Sequence, residues 1–132
     1  MEAGTTQQDD LYRMQEYQEQ MDRLYRQVQL LDEFIRECQQ AQSALEEIVE
    51  SSEGEQMLVP LGGNVFMRAT IADTEKVLTG VGSDVVTEKS VSTAIDFLDR
   101  RIEELRKQEE QLIDTSQDIR ARVQELQQRL QG

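Results

Sequence analysis

Two ladders of apolar residues, with steps that alternate between three and four, leave this chain few ways to fold. The first ladder is Met14, Tyr17, Met21, Leu24, Val28, Leu31, Ile35, Cys38, Gln42, Leu45 and Val49. The second is Val91, Ile95, Leu98, Ile102, Leu105, Glu109, Leu112, Ser116, Ile119, Val123, Leu126 and Leu130. Alternation sustained for more than four heptads and flanked by charge specifies helices that pack along a narrow seam, as in a coiled coil. The two spacings mirror each other. If the chain folds back between them, Val49 meets Val91, Leu45 meets Ile95, Gln42 meets Leu98, and so on to Met14 with Leu126, each pair of numbers adding up to 140. The polar rungs Gln42, Glu109 and Ser116 then each face an apolar partner. One antiparallel helical hairpin is the expectation.

Composition agrees with a seam rather than a bulky core. Of 132 residues 37% are hydrophobic and 31% charged, with no Trp and few aromatics, so burial must run along a stripe. The single Cys38 stands on a rung, where its thiol is expected to pack as a small hydrophobe, since reactivity needs exposure and positive surroundings. A formal charge of −13 excludes nucleic acid as an expected partner, because phosphate recognition draws on clustered Lys and Arg. Only Lys76, Lys89 and Lys107 are lysines, an acidic, lysine-poor balance of the kind found in salt-rich cytoplasm, although an acidic surface aids solubility in any host. With no basic-then-apolar leader pattern and no apolar run near the ~18 residues of a membrane span, the chain reads as cytoplasmic, with no membrane partner.

Residues 1 to 8 lack apolar anchors and are expected to fray, with Thr6 or Asp9 starting the first helix, assigned to residues 9–50. At ~1.5 Å per residue that makes a rod of about 60 Å. Ser51, Ser52 and Gly54 end it, Gly54 as a left-handed cap. The second helix is assigned to residues 90–131, with Ser90 as its cap. Between them, in residues 55–88, the pattern turns strand-like: Met57 to Leu61, Val65 to Ile71, Lys76 to Val81 and Val85 to Glu88. Gly62, Gly63 and Asn64 supply one turn, and Gly82, Ser83 and Asp84 another, which makes two β-hairpins joined through Asp73 and Thr74. The fold class expected is α+β and mostly α: a long antiparallel two-helix coiled coil with two β-hairpins at the end opposite the termini, in a single domain. Val65, Met67, Ala69 and Ile71 fall on one face of their strand, and Phe66, Arg68 and Thr70 on the other.

Isolated hairpins are marginal in water and free strand edges invite pairing. The strands are therefore expected to assemble with other subunits through Val59, Leu61, Val65, Phe66, Met67, Ile71, Val77, Leu78, Val81, Val85 and Val86; the alternative is that they only cap the coiled coil.

Val59-Pro60-Leu61, the Val65-to-Ala69 strand, Asp73-Thr74-Glu75-Lys76-Val77-Leu78, Gly80-Val81-Gly82 and Val86 through Glu88-Lys89, set between helical arms, resemble the archaeal-like alpha-type subunits of the prefoldin family over essentially the whole chain. The two-hairpin island distinguishes that type from the one-hairpin beta type. The resemblance implies an ATP-independent co-chaperone, a hexamer in which this chain joins beta-type subunits and a second alpha-type subunit through a central double β-barrel. It also implies that helical tips capture unfolded client proteins and pass them to a group II chaperonin. On the hairpin reading both termini lie at the tips, which places Leu11, Met14, Tyr17, Met21 and Leu24 opposite Ile119, Val123, Leu126 and Leu130. Flexible Met14 and Met21 suit varied apolar clients, or they simply pack in the seam. Glu109 and Ser116 either weaken this half of the seam, so that it opens to clients, or Glu109 lifts its carboxylate to solvent and Ile113 packs instead. Across the seam Arg120, Arg122 and Arg129 are expected near Asp22, Glu16 and Glu19.

Two other functions use the same residues. Glu103-Glu104, Glu109-Glu110 and Asp114-Asp118 raise acid–base or metal chemistry, but they belong to a solvated helix face without a pocket. Gly80-Val81-Gly82 sits in a strand and turn rather than before a helix, so it is not a phosphate loop. The chain is thus read as no enzyme, with no cofactor, nucleotide or metal. A coiled-coil scaffold or tether for one folded partner is the remaining alternative.

Overall fold

The computed structural model describes residues 2–131 and has the order α1 (Glu2–Glu50), β1 (Gln56–Gly62), β2 (Val65–Thr70), β3 (Lys76–Gly82), β4 (Val85–Ser90) and α2 (Val91–Gln131). Two long helices with two antiparallel hairpins between them form the mostly helical α+β fold that the ladders specify. Helix α1 begins at Glu2, seven residues ahead of Asp9. Elongating an existing helix costs little per residue, and Ala3, Gln7 and Gln8 are good helix formers, so missing apolar anchors do not stop it. The expected fraying also covers Met1, which lies outside the described residues.

The chain divides into two compact units, one of Met1–Ile35 with Glu104–Gly132 and one of Arg36–Glu103. In the first, Ile35, Ile119 and Leu126 are buried, while Met14, Tyr17, Met21, Leu24, Val28 and Leu31 and every other rung from Leu105 to Leu130 are half-buried. The register follows the pairing expected from the ladders. The Arg129 guanidinium lies 3.6 Å from the Asp10 carboxylate, and the Glu109 carboxyl meets Asp32. Leu11 does not join the seam: it is 57% exposed, and Asp10 is buried beside it.

In the second unit Cys38, Ile102, Val91 and Ala94 are buried. Gln42 bridges to α2, donating to the Ile95 carbonyl at 3.4 Å and to Asp99 at 2.5 Å, which brackets its expected partner Leu98. The last rung departs from the ladder, since Val49 is 58% exposed and Ile48 is half-buried in its place. A straight helix turns once per 3.6 residues, so a strict heptad drifts around it, and here the drift moves the seam by one residue. Ser90 caps α2, its Oγ accepting the Thr93 amide at 3.1 Å.

The hairpins form two separate two-stranded sheets. They repeat each other with an offset of twenty residues. β1 pairs with β2 from Gln56↔Thr70 to Gly62↔Val65, and β3 with β4 from Lys76↔Ser90 to Gly82↔Val85, each with its register shift at the same step. The residue after each hairpin closes it alike: the Ile71 amide donates to the Glu55 carbonyl at 2.8 Å and the Val91 amide to the Glu75 carbonyl at 2.9 Å. Gly62, Gly63 and Asn64 all take positive φ (110°, 58° and 63°), as does Asp84 at 61°, conformations cheap for Gly, Asn and Asp. Gly54, with φ 88°, donates its amide to the Ile71 carbonyl at 2.8 Å, so the break after α1 is tied to the end of the first hairpin. Asp73 organises the link between hairpins, its Oδ1 accepting the Glu75 and Lys76 amides at 2.8 and 3.1 Å.

Candidate functional site

Each hairpin has a half-buried side and a solvent side, because pairing places opposite residues on a common face. Val59↔Met67 and Met57↔Ala69 define one face of the first hairpin, and Leu58↔Arg68 and Pro60↔Phe66 the other. In the second these faces are Val77↔Lys89 with Thr79↔Thr87, and Leu78↔Glu88 with Gly80↔Val86. Met57, Val59, Ala69, Val77, Thr79 and Lys89 are half-buried, and Ile71 and Val91 at the strand ends are buried.

The solvent side is unusually apolar. Leu58, Phe66, Leu78 and Val86 on it are exposed, Leu78 by 71%, and Leu61, Val65, Met67, Val81 and Val85 nearer the turns are exposed as well. Contiguous exposed apolar surface of this kind marks an interaction site. Of the residues expected to assemble, Leu61, Val65, Phe66, Met67, Leu78, Val81, Val85 and Val86 are thus open to a partner, whereas Ile71 is buried and Val59 and Val77 are half-buried. Ile71 packs inside because it ends the strand where backbone bonds tie it to Glu55 and Gly54, a tertiary constraint that strand alternation does not reveal. Beneath β3 a cavity of about 510 Å³ is lined by Cys38, Ala41, Leu45, Val77, Thr79, Phe97 and Leu98 among others, and the Lys89 ammonium sits 4.6 Å from the centre of the Phe97 ring.

In the unit that carries both chain ends, the expected tip residues separate by exposure. Leu11 is open, and Ile119 and Leu126 are buried. Met14, Tyr17, Met21, Leu24, Val123 and Leu130 are half-buried, with one side in the seam. A shallow groove brings Met21 and Val123 together with Gln18, Asp22 and Arg120. Tyr12 and Tyr25, which the ladder pattern passes over, are 64% and 66% exposed; their signal was their position just beside rungs, where an aromatic has no packing role. Arg129 pairs with Asp10, not with the acids expected opposite, because Asp10 has turned into the seam.

The polar rungs of this unit are accommodated differently. Ser116 Oγ donates to the Ile113 carbonyl at 2.7 Å, so its hydroxyl is satisfied within its own helix. Glu109 stays in the seam, and Ile113 does not replace it, being 40% exposed. Glu109 Oε2 is buried with no hydrogen-bond partner. The hydrogen bond with Asp32 is the main reason its pKa is raised; burial and the Asp32 charge add to it, and Arg106 opposes. Two carboxyls that meet in a seam favour sharing a proton over both ionising. Among the described residues no group of three or more His, Cys, Asp or Glu is placed to hold a metal ion, and no helix is long and apolar enough to cross a membrane.

The chain matches the family described as Prefoldin subunit over residues 17–132. It is 36% identical over 83 residues to Prefoldin subunit alpha of Thermofilum pendens, covering 63% of this chain and 64% of that one. To Prefoldin subunit alpha of Methanoregula boonei it is 35% identical over 91 residues, covering 69% and 59%. The matched stretch therefore spans less than two thirds of the length of either relative. Its fold is similar to that of a chain in the cryo-EM structure of filamentous PFD from Methanocaldococcus jannaschii, with a TM-score of 0.73 at 22% identity, over 85% of this chain and 93% of that one.

Proposed function

The chain belongs to the prefoldin family, as an alpha-type subunit of the archaeal kind, and from that premise we propose that it is a subunit of an ATP-independent co-chaperone. In this reading it captures unfolded proteins and passes them to a group II chaperonin in the cytoplasm. The hairpins join it to beta-type subunits and to a second alpha-type subunit in a hexamer, through Leu61, Val65, Phe66, Met67, Leu78, Val81, Val85 and Val86. Clients are taken by the unit that carries the chain ends, through Leu11, Met14, Tyr17, Met21, Leu24, Val123 and Leu130, with Ile119 and Leu126 reached when the seam opens.

The observation that carries the reading is the half-closed seam. Its apolar rungs from Met14 to Leu24 keep part of their surface in water, and exposed Leu11, Tyr12 and Tyr25 extend it. Such a surface offers apolar contact without a shaped pocket, which suits many unfolded chains and no single folded one. The acidic charge of −13 adds a preference for cationic clients that fades with salt.

The test is light scattering from several unrelated denatured proteins diluted into buffer with the assembled complex and no ATP. Suppression for all of them is expected. Suppression for none, with tight binding to one folded protein, identifies a tether instead.

A further inference from the structure

The steps of the first ladder alternate, so the rung before Met14 falls four residues back, on Asp10, and the register in which paired numbers add up to 140 sets it opposite Leu130. The structure agrees. Asp10 is the one buried polar or charged residue among those described, 4% exposed, in the layer next to buried Leu126 and half-buried Met14. A carboxylate held in an apolar layer needs a positive partner, because losing it leaves an uncompensated buried charge. Its counter-ion is Arg129, whose Nε lies 3.6 Å away. That is long beside the about 2.7–2.9 Å of a good charge-assisted hydrogen bond, and the Arg129 side chain is 56% exposed against 5% for Asp10. The anion is held in the seam, and the cation only leans on it from solvent.

We infer that Asp10 is a specificity-determining residue of the client surface: a Lys or Arg set among apolar residues of an unfolded client displaces Arg129 and takes its place on the Asp10 carboxylate. The apolar residues beside that cation meet Met14, Leu126 and Leu130 in the same step, with exposed Leu11 at the edge. Arg129 is then a placeholder. It keeps the carboxylate paired while no client is bound and returns to water when one is, so the buried charge is compensated in both states. This selection differs from the general pull of an acidic surface, since salt screens exposed charges strongly and buried pairs much less. The inference rests on the reading that clients are taken by the unit with the chain ends, and specifies which client segments it prefers.

The test uses the complex assembled with beta-type subunits and two unstructured, photoreactive apolar peptides that differ in one central residue, Lys or its uncharged analogue norleucine. Labelling of this chain is mapped and titrated by mass spectrometry in about 1 M salt, where the Debye length is ~3 Å. Wild type is expected to prefer the Lys peptide about threefold, since its cation must displace an existing partner. Arg129→Ala should raise that preference to about tenfold or more, because a hydrogen bond to a charged group is then gained outright. Asp10→Asn keeps the shape and should label equally with both peptides, whereas Asp9→Asn, which removes the exposed acid beside it, should keep the wild-type preference. Circular dichroism and native mass spectrometry check that each variant folds and assembles. A purely structural Asp10 would shift both peptides together and leave their ratio intact. That result, an equal ratio in wild type and Arg129→Ala, or a preference lost in Asp9→Asn, overturns the inference. The position of the label separates it from the broader reading. Label on residues 10–24 and 119–130 with no preference for Lys leaves capture at the chain ends standing and removes the role of Asp10; label elsewhere on the chain removes both.

Discussion

Replacing Glu109 by Leu should tighten the seam, and the structure sets the size of the effect. Glu109 is a half-buried rung with Oε2 buried and unpaired. Removing a buried unsatisfied polar atom returns about 1–3 kcal/mol. A leucine buried by half gains about 1 kcal/mol, since full burial is worth roughly 1.5–3 kcal/mol. Losing the hydrogen bond to Asp32 costs about 1 kcal/mol. The net is a stabilisation of about 1–3 kcal/mol, or a roughly five- to hundredfold smaller open fraction, on the scale where 1.4 kcal/mol is tenfold. Amide hydrogen exchange over residues 105–116 reads this directly. In the wild type these amides should exchange faster than those of residues 91–105, and Glu109→Leu should slow them by the stated factor. Unchanged or faster exchange in the variant refutes the claim that a polar rung loosens the seam.

Glu109 also makes this region sensitive to pH. Its folded pKa is raised, so the stability linked to its proton is fully present below the unfolded value and is lost as pH rises through the folded one. Local protection around residue 109 should therefore increase as pH falls toward 4, and Glu109→Gln should flatten that dependence, measured by exchange corrected for intrinsic rates. Asp73 has the opposite sign: the Glu75 and Lys76 amides lower its pKa, so its contribution is lost as pH falls through the folded value. In Asp73→Ala those two amides should exchange faster at neutral pH. Ser90→Ala removes the cap of α2 and should destabilise by about 1 kcal/mol, read from urea unfolding. Arg129→Ala leaves the buried Asp10 carboxylate without its partner and should speed exchange near both chain ends, whereas Arg129→Lys should restore part of the protection.

Much of the fold was legible because its main signal is periodic. Each rung from Met14 to Leu45 and from Val91 to Leu130 is buried or half-buried, and Gln42, Glu109 and Asp10 find partners across the seam in the register that the mirrored spacing requires. The departures sit where periodicity stops deciding. Val49 ends its ladder and Leu11 lies one step before its first rung, where helical drift and a neighbouring carboxylate move the seam. The hairpins were legible as strands and turns, since Gly62, Gly63, Asn64 and Asp84 are the residue types that positive φ favours. Their twenty-residue repeat was readable as Leu58-Val59-Pro60-Leu61-Gly62 against Leu78-Thr79-Gly80-Val81-Gly82, but divergent side chains hid it. Which face turns to solvent was not legible, because both faces carry apolar residues and the ties of Ile71 to Glu55 and Gly54 that set it apart from exposed Phe66 are tertiary. The Asp32 partner of Glu109 was likewise hidden, since Asp32 is beside a rung rather than on one.

The central claim is that assembly belongs to the hairpins and client capture to the helix ends. Removing residues 1–14 and 124–132 and reconstituting the complex with beta-type subunits tests it most directly. The same subunit stoichiometry is expected by native mass spectrometry, with protection of denatured clients lost. A shortened chain that no longer assembles, or one that assembles and still protects clients, contradicts it.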